Sequence, residues 1–284
     1  MPPATDPPAP QLSLIIPTLN EAEHIVGMLD DLSGWAGREG IAVELVVSDD
    51  GSSDDTVALV QARAPDLPPL QLLRSRRCHG KGKALERGVW AARAPLVALM
   101  DGDNSFPPAQ LDAFLEAVAA GADVVIGSRR LDEAIFLVKP SNIPYIHLRH
   151  VVGQQFNYLV RHLTGMPYLD TQCGLKLLRT EVARECFSHV RVGGFVFDLE
   201  LLLAARAVGY RVAEVPATII HRDTDPVHRV VRLSAAIGKD LLRVVANLHR
   251  GAYGAGPGSS RCSTRARVAE RIGPSPITSK STAS

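Results

Sequence analysis

The sequence predicts an α/β protein with a mostly parallel central sheet and helices on both faces, and three observations predict it. Short apolar runs of strand length recur at residues 12–17, 43–47, 70–73, 96–100 and 123–127. Segments with helical apolar spacing stand between them, and turn and capping residues join the two kinds. Strands alternating with helices at this spacing imply right-handed βαβ units. The first run, 12–17, is apolar on both faces, as a strand covered from two sides is. Residues 20–32 follow as a helix, with Ile25, Val26, Leu29 and Leu32 on its apolar side. After the second strand, Asp54 or Asp55 is placed to cap a helix carrying Val57, Leu59 and Val60. The third strand leads to a helix at 84–92, the fourth to one at 108–119, and the fifth closes the regular alternation. Beyond Arg130 the pattern loosens. Residues 131–149 are expected to form a mobile loop, 151–164 and 198–208 helices, and 211–215 a closing strand.

Composition narrows the function. At 284 residues with 46% hydrophobic content, the chain can bury a sizeable core. Lys plus Arg, at 31, nearly cancels Asp plus Glu, at 30, which argues against a general nucleic-acid binder. Cys78, Cys173, Cys186 and Cys262 show neither Cys-x-x-Cys spacing nor a paired His, so buried, reduced thiols of a cytosolic protein are expected. The Pro-rich start, 1–10, has no basic segment followed by an apolar one, so no signal peptide is expected. No apolar stretch reaches about 18 residues, so no transmembrane helix is expected either, and lipid would be met from the membrane surface. Residues 251–284, rich in Gly, Ser, Thr and Arg, are expected to be disordered. The organisation expected is thus a flexible start at 1–10, a main domain at 11–225, a helix at 226–250 and a tail.

In an open α/β sheet, ligands bind outside the carboxyl ends of the strands. Four strand ends here carry polar residues suited to holding one, namely Pro17-Thr18-Leu19-Asn20-Glu21, Asp49-Asp50-Gly51-Ser52, Asp101-Gly102-Asp103 and Gly127-Ser128-Arg129. Capping or a solvated turn explains any one of them. Four on one edge make a nucleotide-sized polar site. Asp101 and Asp103 offer hard oxygen ligands from one loop, the kind that Mg²⁺ or Mn²⁺ accepts while carrying a nucleotide diphosphate. Gly80-Lys81-Gly82-Lys83 opens a helix, where bare N–H groups and two Lys would favour a diphosphate. Its spacing is not that of a P-loop.

Pro17-Thr18-Leu19-Asn20-Glu21, Asp49-Asp50-Gly51-Ser52, Gly80-Lys81-Gly82-Lys83-Ala84 and Asp101-Gly102-Asp103 resemble, in order and spacing, the inverting family-2 glycosyltransferases of GT-A fold. Asp170-Thr171-Gln172-Cys173-Gly174, Phe197-Asp198-Leu199-Glu200 and Gly238-Lys239-Asp240 resemble the dolichyl- or polyprenyl-phosphate glucosyltransferase branch. The resemblance covers residues 12–250 and implies the Rossmann-like GT-A architecture. It implies that Pro17, Asn20, Glu21 and Asp50 line a uridine pocket with Asp49 in support. Asp101 and Asp103 would hold Mg²⁺ or Mn²⁺, with Lys81 close by. Arg129 would meet an acceptor phosphate or stabilise the leaving diphosphate, and Asp170, Gln172 and Lys176 would stand on the acceptor side. Asp198 falls where hydroxyl-using relatives place a general base; its other role would be to orient the acceptor or Arg129. An ionised phosphate acceptor needs positioning more than deprotonation, whereas a hydroxyl needs the base.

The chemistry so implied is a single in-line displacement at the anomeric carbon, from a UDP-sugar donor to a polyprenyl phosphate lipid. A soluble small-molecule acceptor is the alternative. A sugar nucleotidyltransferase would carry a Gly-rich, basic signature after the first strand, where this chain has Pro-Thr-Leu-Asn-Glu; a non-catalytic sugar-nucleotide sensor would survive Asp103→Ala. The chain departs from the family at Asn104 and Ser105, which follow Asp103, and at Asp223-Thr224-Asp225-Pro226, where Gly-Ser-Lys is common. His221 is either a late metal ligand or a surface residue. Finally, Arg229, Arg232, Lys239, Arg243 and Arg250 fall on one stripe of the last helix, opposite Val230, Leu233, Ile237, Leu241, Val244, Val245 and Leu248. Such a helix either lies at an anionic membrane surface, making a peripheral contact, or packs on the core with its basic face solvated.

Overall fold

Strands that are apolar on both faces need cover on both sides, and in the computed structural model one seven-stranded sheet lies between two helical layers. The structure describes residues 8–138, 143–194, 196–221 and 227–253, with the backbone alone at 143–152 and 227–236. The chain runs β1 (Leu12–Thr18), α1 (Ile25–Glu39), β2 (Val43–Asp49), α2 (Thr56–Arg63), β3 (Leu70–Arg74), α3 (Lys81–Ala91), β4 (Leu96–Leu99), α4 (Leu111–Ala119) and β5 (Val124–Ser128). It continues through β6 (Ile135–Val138), α5 (Ile143–Thr164), β7 (Lys176–Arg179), α6 (Thr180–His189), α7 (Phe197–Val208), β8 (Val212–Pro216), β9 (Thr218–His221) and α8 (Val227–His249).

The sheet order is β3-β2-β1-β4-β7-β5-β8, parallel except for β7, which runs antiparallel between β4 and β5. The side chains alternate as the pleat requires. Ile15, Val46, Val97 and Ile126 join one core with α3, α6, α7 and α8, while Leu14, Ile16, Leu45 and Val125 join the other with α1, α2 and α4. Strand order reverses at β1, since β2 and β3 step outward on one side and β4 on the other. That reversal opens the crevice at the carboxyl ends of β1 and β4.

The α/β class, the parallel strands and most helices stand as expected, with four differences. First, α1 begins at Ile25 instead of residue 20, because Asn20 takes the left-handed conformation (φ 60°) and residues 20–23 are tied into a turn. It runs on to Glu39, burying Trp35 and Ala36, and ends at a left-handed Gly40. Second, the expected loop at 131–149 holds β6, paired with β9 in a two-stranded ribbon, and the start of α5. Third, β7, α6 and β9 were not expected. Fourth, the start of the expected tail belongs to the fold: Tyr253 is buried, and the N–H groups of Gly251 and Ala252 donate to carbonyls of α8.

In the described part of α8, Leu241 and Val244 lie in the core and Ile237, Val245 and Leu248 pack on it, while Lys239, Arg243 and Arg250 face out. The apolar side is therefore occupied by protein, which is the core-packed alternative. The side chains of Arg229, Val230, Arg232 and Leu233, the segment 223–226, residues 1–7 and the tail from 254 lie outside the described residues. Among the described residues, no helix is long and apolar enough to cross a membrane.

Candidate active site

The carboxyl ends of β1 and β2 form the first corner. Register sets Thr18 opposite Asp49. The buried Asp49 carboxylate accepts hydrogen bonds from Thr18 Oγ1 (3.3 Å), the Ser52 hydroxyl and the N–H groups of Gly51 (3.1 Å) and Ser52 (3.2 Å). The Asn20 N–H donates to Ser52 Oγ at 2.9 Å, and Asn20 Oδ1 accepts from the Ser53 N–H at 2.8 Å. The Glu21 N–H donates to Thr56 Oγ1 at 2.8 Å. These bonds bring Pro17, Asn20, Glu21 and Asp49 together. Gly102 presses the next turn onto the same corner, since a Cβ there would stand 2.5 Å from the Pro17 carbonyl oxygen.

Asp50 faces another way. Its Oδ2 accepts the N–H groups of His79 (2.8 Å) and Gly80 (2.7 Å), and its Oδ1 accepts from Arg87 at 3.1 Å. It thus anchors the turn that opens α3. That turn does not present the row of bare N–H groups expected from its glycines. The Gly82 N–H donates to the Gly193 carbonyl at 2.9 Å, and those of Lys83 and Ala84 donate to Gly80. The glycines serve close approach instead. A Cβ on Gly80 (φ 99°) would come within 2.4 Å of the Gly193 oxygen, and one on Gly82 within 2.7 Å of the Phe197 side chain.

What the turn does present is Lys81, whose ammonium donates to Asp101 Oδ1. Burial disfavours this charge, but Asp101, Asp198 and Asp103 outweigh it and raise the Lys81 pKa. Asp101 moves the other way: burial opposes its ionisation, and Lys81, Lys176 and Arg129 overcome that and lower its pKa. Asp103 is pushed up, by burial first and by Asp101 next. Asn104, left-handed at φ 54°, donates from Nδ2 to Asp31 of α1 at 2.9 Å. The Ser105 N–H donates to Asp103 Oδ1 at 3.0 Å, and its carbonyl accepts the Ile220 N–H of β9 at 2.9 Å. The two residues that depart from the family pattern therefore brace the acidic turn against α1 and the edge ribbon.

The antiparallel β7 brings the loop before it, residues 170–175, to this same edge. Asp170 accepts from Arg129 three times: the N–H at 3.0 Å, Nε at 2.6 Å and Nη2 at 2.9 Å. Burial would raise the Asp170 pKa, but these bonds lower it from 3.8 to about 2. They also raise that of Arg129 against the effect of its own burial. The Gln172 N–H donates to Asp170 Oδ1 at 3.1 Å, and Glu214 of β8 accepts the N–H groups of Leu169 (2.9 Å) and Asp170 (3.1 Å). Gly127 and Gly174 make room for the loop. A Cβ at Gly127 would stand 2.7 Å from Cys173 Sγ, and one at Gly174 only 2.1 Å from Asp101 Oδ2.

Lys176 sits opposite both Leu99 of β4 and Ile126 of β5. Fully buried, it donates to Asp198 Oδ1 and to the Cys173 carbonyl, each at 2.6 Å. Asp198, in the first turn of α7, has its pKa raised by burial in spite of Lys176 and Lys81. It is paired with Lys176, not with Arg129. His221 stacks on Phe136 across the β6–β9 ribbon, with ring centroids 6.3 Å apart.

The geometry therefore gathers Lys81, Asp101, Asp103, Arg129, Asp170, Lys176 and Asp198 at one edge, next to the corner of Pro17, Asn20, Glu21 and Asp49. Three of these carboxylates (Asp101, Asp103, Asp198) face two ammonium groups, and the Arg129–Asp170 pair is neutral by itself. The excess is negative, and the two hard carboxylates of Asp101 and Asp103 suit a divalent cation. Among the described residues, no cluster of three or more His, Cys, Asp or Glu forms an all-protein metal cage. Asp101 and Asp103 would hold such an ion, which would supply positive charge at this edge. Glu214 and Arg87, which hold the surrounding loops, were not foreseen, and Glu200 enters the sequence reading only within the Phe197-Asp198-Leu199-Glu200 run, without its role in holding the 191–192 backbone. Only their unusual charge within apolar or motif-flanking stretches signals them.

The family profile described as Glycosyl transferase family 2 matches residues 13–187. The dolichyl-phosphate beta-glucosyltransferase of Dictyostelium discoideum is 28% identical over 248 residues, covering 82% of this chain and 73% of that protein. The polyprenol monophosphomannose synthase of Mycolicibacterium smegmatis is 33% identical over 226 residues, covering 78% and 82%. Among solved structures, the UDP complex of glucosyl-3-phosphoglycerate synthase from Mycobacterium tuberculosis matches with a TM-score of 0.63 at 19% identity, covering 84% of this chain and 80% of that one. That likeness is one of fold, and the fold is GT-A.

Proposed function

The chain belongs to glycosyl transferase family 2, and from that premise we propose that it transfers glucose, with inversion, from UDP-glucose to a polyprenyl or dolichyl phosphate. The observation that carries this reading is the position of Asp101, held by Lys81 on one side and within the field of Arg129 and Lys176 on the other. That arrangement sets cationic side chains around an acidic turn whose negative excess suits a divalent cation, and the cation would supply the positive charge that a leaving diphosphate and an incoming phosphate both require.

Pro17, Asn20, Glu21 and Asp49 take the nucleoside in this reading, and Asp50 shapes the pocket by holding the α3 turn. Asp101 and Asp103 hold Mg²⁺ or Mn²⁺, which when bound offsets the charge developing on the diphosphate. Lys81 adds a second positive charge beside it. Arg129, its guanidinium oriented by Asp170, meets the acceptor phosphate, whose oxygen is already ionised near neutral pH and attacks the anomeric carbon in line. Asp198 orients Lys176 and adds to the negative field on Lys81; deprotonating a phosphate acceptor is not required of it. Gln172 and Lys176 shape the acceptor side through their loop and strand.

Access to a lipid acceptor agrees with the exposed apolar side chains of β6 (Ile135, Phe136, Leu137) and of α5 (Tyr158, Leu159, Leu163), and with the outward Lys239, Arg243 and Arg250. We place the protein peripherally on a membrane surface for that reason. A second reading keeps the phosphate and drops the lipid, since the Arg129–Asp170 fork recognises the phosphate alone; the fold relative from Mycobacterium tuberculosis is named glucosyl-3-phosphoglycerate synthase and has been solved with phosphoglyceric acid. A donor screen tests both. UDP and GDP release is measured across nucleotide sugars with Mn²⁺, with and without polyprenyl phosphate or a soluble phosphomonoester. Release from UDP-glucose stimulated by polyprenyl phosphate is expected; stimulation by the soluble acceptor alone would remove the lipid from the account.

A further inference from the structure

The loop at residues 191–194 touches the site without belonging to it. On one side its Gly193 carbonyl accepts the Gly82 N–H at 2.9 Å and lies so near Gly80 that no Cβ fits between them. That contact seats the turn from which Lys81 reaches Asp101. On its other side the loop is held by Glu200, a carboxylate with no solvent exposure in α7. Glu200 Oε2 accepts the N–H groups of Arg191 (2.8 Å) and Val192 (2.6 Å), and Oε1 accepts the hydroxyl of Tyr253 at 2.5 Å. Tyr253 is 1% exposed and stands just beyond the turn that ends α8. A second point of contact comes from α8 itself: a Cβ on Gly194 would stand 3.0 Å from Asp240 Oδ2. A buried carboxylate needs every one of its partners, so the loop cannot shift without breaking Glu200 away from them.

We propose that Glu200 and Tyr253 are positioning residues for Lys81: through the 191–194 loop they fix the α3 turn, and so couple the end of α8 to the donor diphosphate. The proposal rests on the reading of Lys81 as a diphosphate partner. Tyr253 donates to Glu200, and its effect passes through that carboxylate, two amide groups and one carbonyl.

The test uses the full chain, with donor kcat and KM measured alongside the melting temperature. Tyr253→Phe is expected to lower kcat/KM for the nucleotide sugar roughly tenfold, mostly through KM, within the range by which residues of one hydrogen-bond network couple. In a Lys81→Gln background the same change is expected to add less than about twofold. Glu200→Gln, whose amide oxygen still accepts both N–H groups, is expected to stay within about threefold of the wild type. Independent losses in the double variant, or a lower melting temperature with unchanged kcat/KM, would reduce the contact to a structural one and overturn the proposal. A readout without variants guards against misfolding: UDP with Mn²⁺ should slow amide exchange at Arg191 and Val192 in the wild type, and unchanged exchange there also overturns it. Wild-type turnover separates the two ideas. No turnover with any donor overturns the proposed function, whereas turnover untouched by Tyr253→Phe overturns this inference alone.

Discussion

Asp170 carries a charge that the fold holds in place, and its consequences can be worked out. Its pKa falls from 3.8 to about 2 in the folded protein, so its contribution to stability is present above about pH 4 and is lost as pH falls through about 2. The shift corresponds to about 2 kcal/mol. Asp170→Asn should therefore remove that share at neutral pH and flatten the acid limb of a plot of melting temperature against pH; a limb as steep as the wild type's would contradict the assignment. The sequence made Asp170, Arg129, Lys176 and Asp198 visible one by one, because each sits in or beside a motif. Their pairing was not visible. That Arg129 takes Asp170 and Lys176 takes Asp198 depends on β7 running antiparallel, which is a property of the sheet and not of any local spacing. Asn104 and Ser105 looked like departures in the sequence, yet they brace the acidic turn against α1 and β9.

At the scale of elements, β7 is the piece that completes the site. It is only four residues long, two apolar and two basic, so it carries no periodic signal of its own. Its neighbours β4 and β5 make it a strand, and its antiparallel direction puts residues 170–175 at the edge where the parallel strands end. Two glycines allow the fit. Gly174→Ala should force the Asp101 carboxylate aside, since the new methyl group would sit 2.1 Å from Oδ2. A displacement of about 1 Å can cost roughly a hundredfold, so kcat/KM should fall by about that much while the melting temperature moves by only a few degrees. A matching loss of stability would mean that Gly174 serves packing alone. The parallel strands were legible because their apolar runs are long and end in turn residues. The β6–β9 ribbon was not, because each half is a short run that becomes a strand only against a partner about 80 residues away.

At the scale of the whole molecule, the apolar face of the described part of α8 is spent on the core, so the proposed membrane contact falls to the exposed apolar residues of β6 and α5 and to the basic face of α8. Ile135→Ser with Leu137→Ser should reduce sedimentation with anionic phospholipid vesicles several-fold and leave UDP release with a soluble phosphate acceptor unchanged, and added salt should weaken what remains. Binding unaffected by both would remove β6 and the basic face from the membrane contact. The central claim is hexosyl transfer to a lipid phosphate at the carboxyl edge of the sheet, and one measurement tests it most directly. Labelled UDP-glucose is incubated with polyprenyl phosphate and Mn²⁺, and butanol-extractable label is counted for the wild type and for Asp103→Ala. Label should accumulate with the wild type and fall at least a hundredfold in the variant, whose donor charge is left without its cation ligand. No extractable label from the wild type while UDP is released to another acceptor, or equal label from both proteins, would contradict the account.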